Sequence, residues 1–176
     1  MALVLLGGCD AGGPVAADRR ADGVRAEVVS MAAPVAVRVP ALGIQARLQP
    51  LGLDRRGRLE PPAYGRAGWY ADGPEPGEPG AAVIAGHLDS ATGPDVFAGL
   101  AQARRGHRVL VDLRDGTVAA FRVLGTGRFA QREFPTDRVY ADVRRPLLRL
   151  ITCGGEYDEA VGRYLDNVVV FAVSVS

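Results

Sequence analysis

The stretch RVLVDLRDGTVAAFRVL, residues 108–124, contains two apolar-rich runs on either side of an Asp-Gly pair. The first run alternates apolar and polar residues, which is typical of a β-strand with one buried face. Asp115-Gly116 is a strong signal for the tight turn of a hairpin. The stretch therefore predicts two adjacent strands, Arg108 to Leu113 and Thr117 to Leu124.

Similar strand-like runs recur at short intervals, whereas only one segment, Asp95 to Arg105, has the apolar spacing of a helix. Pro61 to Gly80 is rich in Gly and Pro and predicts a long surface loop. Many short strands and few helices are typical of an all-β barrel or sandwich with one or two short helices. The other predicted strands are Val35–Val39, Ile44–Leu48, Leu51–Leu53, Ala81–Gly86, Leu147–Thr152 and Asn167–Val175.

The chain divides into three segments. Residues 1–9 end in Leu6-Gly7-Gly8-Cys9, which resembles the end of a secretory signal and also the lipobox of bacterial lipoproteins. Residues 10–34 lack sustained periodicity and are interpreted as a flexible tether. Residues 35–176 are long enough for one folded domain with its own core. We therefore expect an exported protein held at a membrane by the signal segment or by lipid on Cys9.

Charge and composition exclude several function classes. The 21 basic and 20 acidic residues nearly cancel, which argues against a nucleic-acid binder. Every basic residue is Arg, so no lysine is available for a Schiff base or as a general base. The only cysteines, Cys9 and Cys153, make no disulfide framework, and zinc would need three or four converging ligands. We expect neither metal nor cofactor.

Cys153 ends an apolar strand and precedes Gly154-Gly155. This placement predicts a thiol at the rim of a rigid element, with glycines that allow a substrate backbone to approach. A buried, inert cysteine is the alternative if this motif is taken alone.

His87 repeats the arrangement, because it follows the apolar run Ala81–Gly86 and precedes a polar turn. A thiol needs a nearby base or cation to form thiolate at neutral pH, and imidazole supplies either. The second histidine, His107, lies in a charged turn and is interpreted as solvated. His87 and Cys153 are therefore the candidate catalytic pair, and Arg163 is a candidate oxyanion stabiliser.

Several ordered motifs resemble the sortase family. The run Val83 to His87 with the residues that follow it is similar to the histidine motif of sortases, and Leu150-Ile151-Thr152-Cys153 is similar to their cysteine motif. Together the motifs extend from about Val35 to the C-terminus. Features similar to the actinobacterial branch called class F are Gly68-Trp69-Tyr70, Phe134-Pro135-Thr136, Val139-Tyr140, Cys153-Gly154-Gly155 and the run from Tyr164 to Val170.

The resemblance implies a closed eight-stranded β-barrel tethered to the outer face of a Gram-positive cell. It implies a catalytic set of His87, Cys153 and an arginine, a role that we assign to Arg163. The position where sortases generally place this arginine falls near Asn167, four residues later. Thr152 and Asn167 are the expected supporting residues.

The implied activity is cysteine transpeptidation. Cys153 would cleave a Leu-Pro-x-Thr-Gly-like sorting signal between Thr and Gly, and an amine would accept the acyl group, with water as a slower substitute. The expected partners are a sorting-signal peptide and an amine of a peptidoglycan cross-bridge, a stem peptide or a pilin-like protein. A monomer is expected.

Two other functions use the same residues. A thiol transpeptidase acting on peptidoglycan stem peptides would use the same pair, although such enzymes usually have the histidine and cysteine closer together. A non-catalytic lipoprotein barrel that binds cell-wall ligands would leave Cys153 unreactive.

Overall fold

The computed structural model describes residues 31–175, and these residues form a closed eight-stranded barrel and a separate two-stranded hairpin. The strands are β1 (Pro34–Val39), β2 (Ile44–Leu51), β3 (Ala67–Tyr70), β4 (Gly80–Gly86), β5 (Asp89–Ser90), β6 (Gly93–Pro94), β7 (Arg108–Leu113), β8 (Val118–Ala130), β9 (Pro146–Asp158) and β10 (Arg163–Ser174). The strand order in the barrel is β1-β2-β3-β4-β9-β10-β8-β7, and β5 and β6 form the hairpin. The all-β prediction and the barrel implied by the resemblance are confirmed.

Helical structure is short and lies in the connections. A four-residue α-helix, α1 (Thr136–Val139), follows Phe134 and Pro135. Single turns of 3₁₀-helix span Pro40–Leu42, Leu100–Gln102 and Gln131–Glu133. No helix within residues 31–175 is both long and apolar enough to cross a membrane.

Two of the eight strand pairs in the barrel are parallel, β2 with β3 and β4 with β9, and the other six are antiparallel. The predicted hairpin forms between β7 and β8, and Gly116 in its turn has a φ of 87°. Inward-facing side chains from all eight strands pack in one core. The largest fully buried members include Phe97, Phe121, Ile84, Leu100, Leu148 and Leu150.

The predicted helix from Asp95 to Arg105 is wrong. The segment instead follows successive turns, with N–H groups donating three residues back, and only Leu100–Gln102 is a 3₁₀-helix. Phe97, Leu100 and Ala103 are all buried in the barrel core. Their spacing of three matches the three residues per turn of 3₁₀ geometry better than an α-helical face.

The predicted loop from Pro61 to Gly80 also needs correction, because it contains a strand. All four residues of β3, including Trp69, are buried, and β3 pairs with β2 on one side and with β4 on the other. The surrounding Gly and Pro residues hide this short strand from periodicity analysis. β8, β9 and β10 also extend several residues beyond their predicted bounds.

The described chain begins just before the first strand. Met31, Ala32 and Ala33 pack against the core, and the Met31 N–H donates to Glu78 Oε1 at 3.1 Å. The expected signal or lipobox segment, residues 1–9 with Cys9, and most of the expected tether, residues 10–30, lie outside the described residues.

Gly86, the last residue of β4, sits against a core side chain. A Cβ atom added to Gly86 would lie 2.6 Å from Cδ2 of the Phe97 ring, and Phe97 is fully buried. Because the ring cannot move into open space, only glycine fits here. The packing of Gly86 on Phe97 therefore fixes the backbone position of the last residue of β4, directly before His87.

We predict that Gly86→Ala destabilises the protein by about 1–3 kcal/mol, because the added methyl overpacks the core. Chemical denaturation of the full chain measures the effect. Gly125→Ala on β8 is the matched control, since a Cβ at Gly125 meets no atom within 4 Å. Equal stability of the two variants would contradict the packing argument.

Candidate active site

Cys153 lies in the middle of β9, not at its end, and its relative exposure is only 6%. It forms no disulfide bond within residues 31–175. The prediction that Cys153 ends its strand and exposes its thiol at the rim is therefore wrong, because β9 continues past the cysteine to Asp158 and the residue is buried. Cys153 shares a face of β9 with Ile151, and this is the outer face of the barrel, since the intervening Leu150 belongs to the inner core.

The strand register places the two neighbours of Cys153. On one side, Cys153 pairs directly with Asn167 of β10. On the other side, the parallel pairing of β4 with β9 ends at Ala85 and Ile151. Continuing this register by two residues places His87 beside Cys153, on the same outer face. Cys153 and Asn167 are thus paired across β9 and β10, and His87, the residue directly after β4, extends this row on the β4 side by extrapolation of the register.

The His87 ring is buried and oriented by the β2–β3 connection. Its Nε2 lies 2.7 Å from the carbonyl oxygen of Pro62, and the residue is 4% exposed. Because a carbonyl only accepts hydrogen bonds, Nε2 carries the proton and Nδ1 is the ring nitrogen left to receive one. The Tyr64 ring lies over the imidazole at a centroid distance of 4.4 Å.

The backbone around His87 is held from both sides. The Phe97 N–H donates to the His87 carbonyl at 3.0 Å, and the Asp95 N–H donates to the Leu88 carbonyl at 3.0 Å. The Asp95 carboxylate accepts from Gly65 N–H at 3.0 Å, which ties the Pro62–Tyr64 segment to the β5–β6 hairpin. These bonds position the imidazole and the two groups that contact it as one unit.

A second contact joins the histidine loop to β10. The Tyr164 hydroxyl donates a hydrogen bond to Asp89 Oδ2, and Asp89 lies two residues after His87. This bond, with burial and the electrostatic effects of Asp89, Cys153 and Tyr157, raises the pKa of Tyr164 to about 12. Tyr164 therefore remains a phenol at neutral pH and keeps its hydrogen bond to Asp89.

Asn167 is fully buried, and neither Oδ1 nor Nδ2 has a hydrogen-bond partner among the described residues. A buried amide without partners costs about 1–3 kcal/mol of stability. A catalytic role is one explanation for a buried polar group without a hydrogen-bond partner in a native protein. Asn167 thus presents two N–H donors beside the nucleophile.

The other sequence candidates lie elsewhere. Arg163 is the first residue of β10 and pairs with Asp158, four residues from Asn167 and beyond an irregularity at which Gly155 has a φ of 80°. Its Nε is buried without a hydrogen-bond partner among the described residues. Thr152 points to the opposite face of β9 from Cys153, since neighbouring strand residues alternate, and its hydroxyl has no such partner either.

His107 lies in the turn before β7, where its Nδ1 accepts from Arg104 N–H at 3.3 Å. Within residues 31–175 no three His, Cys, Asp or Glu side chains converge as metal ligands. His107 is therefore part of the turn and not of the row on the outer face.

Sequence reasoning missed four groups of this site. The sequence gives no indication that the Pro62 carbonyl and Tyr64 contact His87, because a Gly- and Pro-rich stretch does not show which strand end it covers. Asp89 and Tyr164 lie inside the motifs around His87 and Asn167, so proximity in sequence to those residues was the available signal.

The arrangement suits acyl transfer. It supplies a thiol nucleophile, an imidazole whose far nitrogen is held by a carbonyl, and buried N–H donors beside the thiol. Cys153 is placed to act as the nucleophile, His87 as the base, and the Pro62 carbonyl as the group that orients the base.

Three solved structures have the same fold. Sortase C-1 from Actinomyces oris matches with a TM-score of 0.62 and 21% identity, covering 81% of this chain and 75% of that one. Sortase C1 of the GBS pilus island 1 matches at 0.61 and 17%, covering 81% and 65%. Sortase A from Corynebacterium diphtheriae matches at 0.61 and 17%, covering 83% and 62%. This chain thus spans less than two thirds of the length of the last two.

No curated protein matches the chain. A family model described as the sortase domain, by contrast, matches residues 37–175, which is nearly all of the described barrel and includes the His87–Cys153–Asn167 row. With the matching fold, this shows that the chain belongs to the sortase family, whose members are cysteine transpeptidases acting on sorting signals.

Proposed function

We propose that this protein is a class F-like sortase that cleaves a Leu-Pro-x-Thr-Gly-like sorting signal between Thr and Gly and transfers the acyl group to an amine at the cell surface. The observation that carries the proposal is that Cys153 lies on the outer face of a sortase barrel, paired with Asn167 of β10 on one side and next to the end of β4, directly before His87, on the other. The class F assignment rests on the motifs from Gly68 to Val170.

The reaction begins with attack of the Cys153 thiolate on the Thr carbonyl carbon. The S–C bond forms as the carbonyl π electrons move to oxygen, and the thiol proton resides on Nδ1 of His87. The carbonyl of Pro62 accepts from Nε2–H and so stabilises the imidazolium. The Asn167 amide donates to the oxyanion, which satisfies a group that is otherwise buried without a partner.

Collapse of the tetrahedral intermediate restores the carbonyl and breaks the C–N bond. His87 gives its proton to the departing Gly amine, and a thioester remains on Cys153. An incoming amine then attacks the thioester, His87 accepts its proton, and the new amide leaves as Cys153 is released. Water in place of the amine gives hydrolysis, the endopeptidase side of the activity.

Asn167 is the side chain that the observed register puts next to Cys153, so we assign it the oxyanion role. Arg163 pairs with Asp158, beyond the irregularity that separates it from the Cys153–Asn167 pair. Arg163 remains a candidate for contact with the peptide beyond the scissile bond.

The wider setting of the proposal comes from the N-terminal sequence. Residues 1–9 would export the protein and anchor it by a signal segment or by lipid on Cys9, and residues 10–30 would tether the barrel at the surface of an actinobacterial cell, since residues 31–34 pack on the core or begin β1. The acceptor amine would belong to a peptidoglycan cross-bridge, a stem peptide or a pilin-like protein. The enzyme would act as a monomer and without a cofactor.

The full 176-residue chain is expected to cleave a Leu-Pro-Ala-Thr-Gly-Gly peptide and, with triglycine present, to form the ligated product. Mass spectrometry identifies the products. Cys153→Ala should abolish both, whereas Cys9→Ala, which removes the only other thiol, should retain them.

Cleavage that survives Cys153→Ala would contradict the mechanism. If the peptide is not cut but a peptidoglycan stem peptide is, the substrate class is wrong. Failure of Cys153 to react with iodoacetamide at neutral pH would favour a binding module.

Asn167→Ala should lower kcat by about 10²–10³-fold with little change in KM, as loss of an oxyanion donor does. The midpoint of thermal unfolding should stay the same or rise, because a buried unpaired amide is removed. Arg163→Ala is the comparison variant. If Arg163→Ala abolishes kcat and Asn167→Ala does not, the oxyanion role belongs to Arg163.

Tyr164→Phe should lower kcat by about tenfold, because the Asp89 hydrogen bond that ties the histidine loop to β10 is lost. Asp89→Asn should have a similar effect, and the double variant should be little worse than either single one. Tyr157→Phe is the matched control: its ring packs against Tyr164 at a centroid distance of 5.2 Å, and the change keeps the ring. Additive losses would show that the two side chains act independently.

A further inference from the structure

Four adjacent strands of the barrel, β2, β1, β7 and β8, carry an excess of positive charge. They contain a single acidic residue, Asp112, whereas their arginines are Arg38, Arg47, Arg108, Arg122 and Arg128. The other four strands have the opposite balance, with the acidic residues Glu156, Asp158 and Asp166 against the arginines Arg149 and Arg163. The net charge of +1 is therefore the sum of a basic side of the barrel and more acidic surroundings elsewhere.

Four of these arginines form one continuous patch on the outer face. On β7 and β8 the residues that pack in the core alternate with Arg108 and Arg122, so both of these side chains face outward. By the same alternation, Arg38 of β1 and Arg47 of β2 also face outward. The strands are neighbours in the order β2-β1-β7-β8. We call the set Arg38, Arg47, Arg108 and Arg122 the basic patch.

The basic patch contains a like-charge pair. Arg108 and Arg122 are directly opposite each other across β7 and β8 and both are exposed. Neither forms an ion pair within residues 31–175. Arg104 and Arg105, in the turn that leads into β7, add two exposed charges at the same end of the strands. Like charges opposite each other destabilise a strand pair, and an anion bound to both would reduce the repulsion.

The carboxylate of Asp112 does not offset this pair. Arg38 Nε donates to Asp112 Oδ2 at 3.0 Å, so Asp112 is engaged on the β1 side of β7. Exposed apolar side chains border the patch, namely Val35, Val118, Leu124 and Val175. Positive charge beside exposed apolar side chains suits the interface of an anionic bilayer, where phosphate groups and acyl chains meet.

The basic patch lies on the opposite side of the barrel from the active site. In the closed ring, β1 is four strands from β9 in either direction, and β7 is four strands from β4. A surface bound to the patch would therefore leave Cys153 and His87 on the side that faces away from it. Residues 1–30 join the barrel directly before β1, which is itself a strand of the patch.

We propose that the basic patch docks the barrel on an anionic lipid bilayer, with the arginines on lipid phosphate groups and the bordering apolar side chains at the edge of the acyl region. Docking of this kind holds the active site away from the membrane, open to substrates. The choice of a bilayer rests on the apolar border and on the proposed membrane anchoring of residues 1–9. It does not depend on the reaction at Cys153.

Cosedimentation of the full chain with vesicles tests the docking. The wild type should bind vesicles of equal parts phosphatidylglycerol and phosphatidylcholine more tightly than vesicles of phosphatidylcholine alone. Arg108→Gln combined with Arg122→Gln should weaken partitioning into the anionic vesicles by about tenfold, the expected effect of removing two arginines near an anionic surface. On phosphatidylcholine alone the two proteins should bind equally, and high salt should reduce the difference on anionic vesicles.

Arg144→Gln combined with Arg145→Gln is the matched control. It removes the same charge from two exposed residues directly before β9, on the active-site side of the barrel, and should leave partitioning unchanged. In the absence of lipid, the Arg108/Arg122 variant should unfold at the same temperature as the wild type or a higher one, because the like-charge pair is removed. An equal loss of binding in the two double variants would show that partitioning follows net charge alone, which overturns the proposal.

Three further outcomes decide the proposal. Equal binding of the wild type to anionic and neutral vesicles overturns it. Arginine-dependent binding of soluble polyphosphate without binding to vesicles also overturns it, since the partner would then be a soluble polyanion. If the wild type cleaves no sorting-signal peptide but binds anionic vesicles through Arg108 and Arg122, the docking stands and the proposed reaction fails.

Discussion

The parallel pairing of β4 with β9 is the constraint on which the site depends. Parallel strands cannot be joined by a tight turn, so a long excursion through the barrel separates them in the chain. The register of this pair ends at Ala85 and Ile151, and its continuation by two residues leads to His87 and Cys153 on the outer face. A slip of one residue would turn one of them into the barrel core.

Barrel closure makes this register rigid. Each strand of the ring has two neighbours, so neither β4 nor β9 can move without disturbing the core on its inner face. The outer face of the same strands is then free to carry polar groups, and Asn167 and Arg149 are both buried there without a charged partner. The inner face supplies stability, whereas the outer face bears the cost of unsatisfied polar groups.

Connections between the strands supply further groups of the site. The β2–β3 connection brings the Pro62 carbonyl to the imidazole, and the β5–β6 hairpin brings Asp89 to Tyr164. The segment after β8 crosses the outer face, where Arg138 lines a cavity. Functional groups lie on connections while the scaffold orients them, which is the usual division in proteins whose core is a sheet.

The sequence by itself determined the all-β class and the β7–β8 hairpin, and it singled out His87 and Cys153 as candidate residues, because alternation, the Asp-Gly turn and the motifs around these residues are local patterns. It misassigned β3 as loop and Asp95–Arg105 as helix, since packing against distant strands overrides local preference there. Only the tertiary structure decided that Asn167 pairs with Cys153 in the register and that Arg163 pairs with Asp158. The reason is that strand register depends on contacts between residues far apart in the chain, which no local pattern encodes.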